Sequence, residues 1–326
     1  MAMPNKITTG IFFVNNIMKS EPLTPSDYTR LENFFQQQKY ELCAYSLSSI
    51  LVWSTKVYQP VGITDGETLI IGVEFDATHE DKNHLILPVS PVREYSPEEL
   101  HDLAVNLGFE RFWFVPGDYI ERYGQNQLDA FFETEEQPEL DDYVYLTENL
   151  AELKGNKYSK KRNLISQFKK EYRDRILIEK ITSSAMSECV DFLEEWCEER
   201  DCEADPETDL ACEKQAAKNA LEYIDILGMN GILLRVDGVV SAFGIMSRLT
   251  ENMGVLHFEK AFSHIKGLYQ FFDRACARTL FNGCKYINKE SDMGIPGLAK
   301  AKQSYYPVKM MKSYKLTISP AGSPQS

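Results

Sequence analysis

The sequence predicts an α+β fold of two tandem domains, each a mixed, mostly antiparallel sheet flanked by helices. Short apolar runs of strand length alternate with segments of helical period along the whole chain. Asp65-Gly66 and Asp237-Gly238 each lie between two such runs, which is a strong hairpin signal. The element order of the second half repeats much of that of the first, and 326 residues suffice for two domains of ordinary size.

In the first half, Thr24 to Gln38 reads as a helix, with Thr24 as cap, Pro25 at the first position and Leu31, Phe34 and Phe35 facing inward. Tyr45 to Trp53 is a second apolar helical segment. Val57 to Ile63 and Thr68 to Phe75 form the hairpin around Asp65-Gly66, and His84 to Val89 continues as a strand. Ser96-Pro97-Glu98-Glu99 opens a helix by cap, proline and acidic first turn, and Gly108 should end it. Arg111 to Val115 returns as a strand. The connection between halves, Glu133 to Asp142, is short, acidic and interrupted by Pro138, so the domains are expected to pack together.

In the second half, Arg175 to Ile181 is a strand, and Ser184 to Glu199 and Leu210 to Leu227 are helices. Gly231 to Val236, Val239 to Ser247 and Gly254 to Ala261 make a meander. A helix over Lys266 to Phe281 follows, then a strand at Tyr286, a short helix opened by Pro296, and a last strand. Strand, two helices, three antiparallel strands, helix, strand, helix, strand is the order of GNAT acyltransferase folds. No strong sequence repeat relates the halves. The expected boundaries are an extension over 1–17, domains over 18–140 and 141–318, and a flexible tail over 319–326.

Composition narrows the function. Hydrophobic content of 43% and charged content of 26% belong to a soluble globular protein. No apolar run approaches the ~20 residues of a membrane span. Ile11 to Met18 is short and interrupted by Asn15 and Asn16, a poor signal peptide, so a cytoplasmic protein is expected. The seven cysteines have no paired C-x-x-C spacing, which argues against a disulfide framework. Cys197, Cys202 and Cys212 stand among carboxylates without histidine or tight spacing, and no metal is expected. A net charge of −14 speaks against DNA binding by the surface at large. The charge is uneven, however. Lys154 to Arg175 holds nine cations against two acids, Glu171 and Asp174, so a local anion pocket is compatible with the acidic total.

Three blocks carry a family resemblance. They are Tyr143-Val144-Tyr145 with LAELKGNKYSKKRNLISQF (150–168), HFEKAF (257–262) with KGLYQFF (266–272), and YINKESDMGIPGLAKAKQSYYPVKMMKSYKL (286–316). Together, and in this order, they resemble the C-terminal domain of phosphatidylglycerol lysyltransferases, the multiple peptide resistance factors. The likeness spans Met18 to Thr317. It implies a tandem pair of GNAT-like folds and an aminoacyl-tRNA donor or another ligand that is not coenzyme A. The full lysyltransferases carry a membrane flippase domain ahead of this one, which this sequence does not show.

The same blocks supply the candidate residues. Lys160, Lys161 and Arg162 fall in the first turn of a helix whose dipole is already positive, a ready site for phosphate or carboxylate. Arg162 and Asn163 are the preferred contacts, because a planar guanidinium grips phosphate bidentately; solvated lysines are the plain alternative. Glu259 sits on an apolar strand, where a carboxylate is costly unless paired. It is either a base or the structural partner of a lysine such as Lys289. His257 and His264 read as packing or surface histidines. Acetyl-CoA enzymes of this fold carry a Q/R-x-x-G-x-G/A loop after that strand. Here His264 to Tyr269 keeps Gly267, beside Lys266, but replaces the second glycine by Tyr269, which puts acyl-CoA in doubt. Glu290 and Asp292 could bind a donor amine or act as base, Lys300 and Lys302 could hold an anionic acceptor, and Tyr305 or Tyr306 could protonate a leaving group. Asp292-Met293-Gly294 could equally be a plain turn. The expected function is therefore GNAT-type acyl transfer, with aminoacyl transfer to an amine or hydroxyl as its specific form. A sensing module for a small anionic ligand and a CoA-dependent N-acyltransferase are the alternatives.

Overall fold

A computed structural model describes residues 20–199 and 209–319; the expected extension (1–17), Cys202 and most of the expected tail lie outside them. The first half runs β1 (Glu21–Pro22), α1 (Tyr28–Phe35), α2 (Leu47–Val52), β2 (Tyr58–Asp65), β3 (Thr68–Phe75) and β4 (His84–Leu85). It continues with α3 (Pro97–Leu107), β5 (Arg111–Pro116), α4 (Gly117–Tyr123), α5 (Gln125–Leu128) and β6 (Phe132–Glu136). The second half opens with β7 (Asp142–Leu146), α6 (Thr147–Glu152), α7 (Ser159–Tyr172), β8 (Ile176–Lys180), α8 (Met186–Glu198) and α9 (Asp209–Glu222). Then come β9 (Asn230–Val236), β10 (Val239–Arg248), β11 (Met253–Ala261), α10 (Leu268–Thr279), β12 (Tyr286–Asn288), α11 (Pro296–Gln303), β13 (Lys309–Met311) and β14 (Ser313–Ile318).

Local chemistry sets these bounds. Ser96 Oγ accepts the Glu99 amide and Glu99 reaches back to the Ser96 amide, a reciprocal cap that starts α3, and Gly108 ends it at φ +77°. Asp237 and Gly238, at φ +54° and +83°, form a two-residue turn with the primed geometry that suits strand twist. The first helix is shorter than expected: Pro25–Asp27 is a 3-10 turn, and α1 occupies Tyr28–Phe35 with Leu31 buried.

The strands form sheets ordered β1-β2-β3-β4-β5-β14-β6 and β8-β9-β10-β11-β12-β7-β13. These are the same order, with one parallel step in each, β4 beside β5 and β11 beside β12. The chain is thus two GNAT-like units in tandem, α+β in class. The sixth position of the first sheet is filled from the far end of the chain. β14, the last strand, enters the first sheet between β5 and β6, while β7, at the junction, enters the second between β12 and β13. The first sheet therefore borrows a strand from the second half, whereas the second sheet is built wholly from residues after the junction. The stretch 133–142, expected as a plain connection, contains β6; the true crossing is 137–141. The expected C-terminal domain, 141–318, contains β14, whose ladder lies in the first sheet.

The two crossings run side by side. Gln137 N donates to Ser313 O at 2.9 Å, Ser313 N to Asp141 Oδ1 at 3.0 Å, and Lys312 Nζ to Asp141 Oδ2 at 2.7 Å. Gln137, Asp141 and Ser313 are all buried, so these bonds are shielded from water. The halves also meet through α2, where Ser48 Oγ donates to Leu227 O and Asn219 Nδ2 to Val52 O, both at 2.8 Å.

Candidate functional site

The site begins with an incomplete strand pair. β11 and β12 pair only over Met253↔Tyr286, Gly254↔Ile287 and Val255↔Asn288. β11 then runs on to Ala261 paired with β10 alone, leaving a gap beside its second half. A bulge marks the point of divergence: Ile245 pairs with Phe258 and Met246 with Leu256, so His257 is the extra residue. The side chains of Lys289 and Glu290, just after β12, reach across the gap to β11.

Lys289 Nζ donates to Glu259 Oε2 at 2.7 Å and to Asp273 Oδ1 of α10 at 3.0 Å. Burial works against its charge, but the carboxylates of Asp273 and Glu259 outweigh burial and raise its pKa. One ammonium cannot neutralise both acids. Burial, then the Asp273 charge, push Glu259 up to about 7 despite Lys289. The Tyr305 phenol bonds Asp273 and is pushed well above its usual range, by burial first and these carboxylates next. Lys161 Nζ lies 3.4 Å from the Tyr305 ring centroid and donates to Ser304 Oγ at 2.7 Å; burial lowers it to about 8.

Glu290 forms the other bridge. Its backbone is left-handed at φ +58°, a strained state for a residue with a Cβ. Asn288 Oδ1 accepts the Glu290 amide at 2.7 Å, and Glu290 Oε1 lies 2.9 Å from His257 Nδ1. On the far side of the ring, His257 Nε2 lies 2.7 Å from Ser247 Oγ, which is 3.0 Å from Ser46 Oγ at the start of α2. Asn288 Nδ2 donates to Asp142 Oδ2 at 2.7 Å, and the Cys43 amide to the same oxygen at 2.6 Å. Burial pushes Asp142 up to about 6 against these hydrogen bonds. Contacts from both halves thus converge on the loop that follows β12.

The structure brings together Glu259, Lys289, Glu290 and Tyr305 among the residues singled out from sequence. It uses others differently. Lys302, expected to hold an anion, donates to the carbonyls of Lys289, Glu290 and Ser291 at 2.5 to 3.1 Å, bracing their loop from inside. Lys300 is exposed on α11. Asp292 accepts from the Gly294 amide at 2.9 Å and from the Tyr143 hydroxyl at 2.6 Å, which is the turn-shaping alternative. Arg162 does not present its guanidinium for phosphate: Nη1 donates to the carbonyls of Leu153 and Gly155, both at 2.6 Å, satisfying acceptors left over where α6 ends. Lys160 and Asn163 are exposed on α7, with Lys157 stacked on Tyr306 4.9 Å away. Lys266 is exposed, whereas Gly267, at φ +84°, faces α7 so closely that a Cβ would overlap the carbonyl oxygen of Leu164. That glycine serves helix packing, and its inner face has no room for a pyrophosphate.

Sequence reasoning missed Asp273, Ser247, Ser46 and the pairing of His257. A signal existed for Asp273, which helical spacing places on one stripe with the buried Cys276 and Ala277. The serines carried none, since their partners lie far away in sequence. Among the described residues, no helix is long and apolar enough to cross a membrane.

Residues 112–317 match the family described as phosphatidylglycerol lysyltransferase, C-terminal. A conserved protein of unknown function from Bacteroides thetaiotaomicron is 27% identical, with a TM-score of 0.82 over 93% of this chain and 100% of that one. The C-terminal domain of a putative lysylphosphatidylglycerol synthetase from Agrobacterium fabrum shares the fold, at 14% identity and a TM-score of 0.62 over 90% of this chain and 92% of that one. L-PGS from Bacillus licheniformis does so at 13% and 0.61, over 90% and 93%. No curated protein matches the chain.

Proposed function

Given that the chain belongs to the phosphatidylglycerol lysyltransferase C-terminal family, we propose that it transfers an aminoacyl group from aminoacyl-tRNA to an amine or hydroxyl acceptor by GNAT-type chemistry, in the cytoplasm. The observation that carries this reading is the gap on the β12 side of β11, where no strand pairs beyond Val255 and which is spanned by Glu259–Lys289 and His257–Glu290. A donor carbonyl lying along that strand would meet backbone amides able to polarise it. The acceptor attacks the carbonyl carbon, a new C–N or C–O bond forms, and the ester bond to the ribose oxygen breaks. Glu290 takes the acceptor's proton. Tyr305, kept protonated by burial and then by the neighbouring carboxylates, gives its proton to the ribose oxygen and recovers one through Asp273. Glu259 and Lys289 hold the donor's end of the site. The exposed lysines Lys154, Lys157 and Lys160 beside it offer a face to the tRNA backbone. The packing of Gly267 against Leu164 argues against coenzyme A as the donor's carrier.

The test is transfer of radiolabelled amino acids from charged tRNA to small amines and alcohols, with binding measured across a salt series. Glu290→Gln is expected to slow transfer by about a hundredfold or more while leaving binding intact. Lys160→Glu should weaken binding and flatten its salt dependence. Absence of binding at low salt would remove the tRNA donor.

A further inference from the structure

We propose that Ser46, Ser247 and His257 form a hydrogen-bonded relay by which the first half of the chain orients the Glu290 carboxylate, making them positioning residues for the transfer reaction. This rests on the functional reading given above, in which Glu290 accepts the proton.

The polarity of the relay follows from its ends. The Ser49 amide can only donate, and Ser46 Oγ accepts it at 3.3 Å. The Ser46 hydroxyl then donates to Ser247 Oγ at 3.0 Å, and the Ser247 hydroxyl to His257 Nε2 at 2.7 Å. With Nε2 accepting, the ring proton belongs on Nδ1, which donates to Glu290 Oε1 at 2.9 Å. Every hydroxyl gives one bond and takes one, and the direction runs unbroken from α2 to the carboxylate. Ser46, Ser247 and His257 are all at least nine-tenths buried, so water does not compete for these groups.

The need for such a device is visible in Glu290 itself. Its left-handed backbone is held by Asn288 and Lys302, which fix the main chain but leave the side chain free to rotate. His257 removes that freedom by taking Oε1, and leaves Oε2 for the acceptor's proton. The charged or titratable groups facing Glu290 from neighbouring elements are Lys302, Asp142 and Cys43. None of them donates to the Glu290 carboxylate, so its direction is set by the histidine. The His257 bulge is what lets one ring touch both Ser247 on β10 and Glu290 beyond β12.

The test uses the full chain labelled with nitrogen-15 in its histidine rings, the His257 signals being assigned by their loss in His257→Gln. The relay predicts a neutral ring protonated on Nδ1, whose shifts change in Ser247→Ala and also in Ser46→Ala, although Ser46 does not touch it. A ring protonated on Nε2, or one indifferent to Ser46→Ala, would overturn the proposal. In the transfer assay, Ser46→Ala and Ser247→Ala should lower kcat by about ten- to a hundredfold with KM unchanged. Ser46→Thr, which keeps the hydroxyl, should restore it and serves as the folding control. Unaltered kcat in Ser46→Ala would overturn the relay; absence of turnover with every donor would instead remove the functional reading, leaving the nitrogen shifts to decide the relay alone.

Discussion

Lys289 and Asp142 show how burial converts ordinary side chains into constrained ones. Lys289 stands between Glu259 and Asp273 and so satisfies a need that a strand carboxylate announces in sequence. Glu259 was readable for that reason, and its pairing with Lys289 was one of the two readings the sequence allowed. Asp142 was not readable, because nothing in the DDYVYL run says that both of its acids are enclosed. Its carboxyl is pushed up to about 6 by burial, above the unfolded value of about 4. A proton held more tightly when folded means stability that is complete below about pH 4 and lost as pH rises through about 6. Asp142→Asn keeps an acceptor for Cys43 and Asn288 without the charge. Relative to the parent chain, the variant should therefore gain about 2–3 kcal/mol between pH 4 and 7. Denaturant unfolding at both pH values checks this; a constant difference would mean Asp142 is not the titrating group.

At the scale of elements, the two equivalent helix starts that follow β4 and β11 are closed in different ways. α3 begins with its own reciprocal cap, Ser96 and Glu99, and adds Glu98 in the first turn, so its free amides already face carboxylates. α10 begins at Gly267, pressed against the carbonyl of Leu164 on α7. The missing second glycine was legible in the sequence, but the cause of the closure was not, since α7 lies a hundred residues earlier. Gly267→Ala combines a left-handed Cβ with backbone overlap, and is expected to cost about 2–4 kcal/mol. Thermal unfolding measures it, and a loss below about 1 kcal/mol would show that α7 can yield. The basic first turn of α7 teaches the converse lesson. Its composition suggested a phosphate grip, yet Arg162 is drawn to the nearer acceptors at the end of α6.

For the whole molecule, the return of β14 to the first sheet is the decisive feature. The boundaries near residue 140 that we propose divide the chain by sequence, whereas β14, from beyond that line, completes the first sheet. Removing the second half would strip the first sheet of its sixth strand and expose ladder groups on β5 and β6, and parting the halves would uncover buried Gln137, Asp141 and Ser313. Fragment 1–140 expressed alone should thus fail to fold, and should recover a native-like spectrum when expressed together with 141–326. A dispersed amide spectrum from the isolated first fragment would count against this. The site draws on both halves because the first half packs the Cys43 amide against Asp142 and Ser46 of α2's start against Ser247.

By itself, the sequence determined the α+β class, the order of elements in each half, the hairpins, the α3 caps and the family, because these depend on local periodicity, turn chemistry and residue order. It also marked Glu259, Lys289, Glu290 and Tyr305 as chemically unusual in their surroundings. Only the tertiary structure decided which charges are paired, which lysines brace carbonyls, and which sheet each crossing strand joins. Those outcomes depend on contacts between separate elements, from Lys302 with the Ser291 carbonyl on the neighbouring loop to Ser46 with Ser247 across the halves. Local pattern carries no record of such contacts, whose energy is gained only when burial removes the competing water.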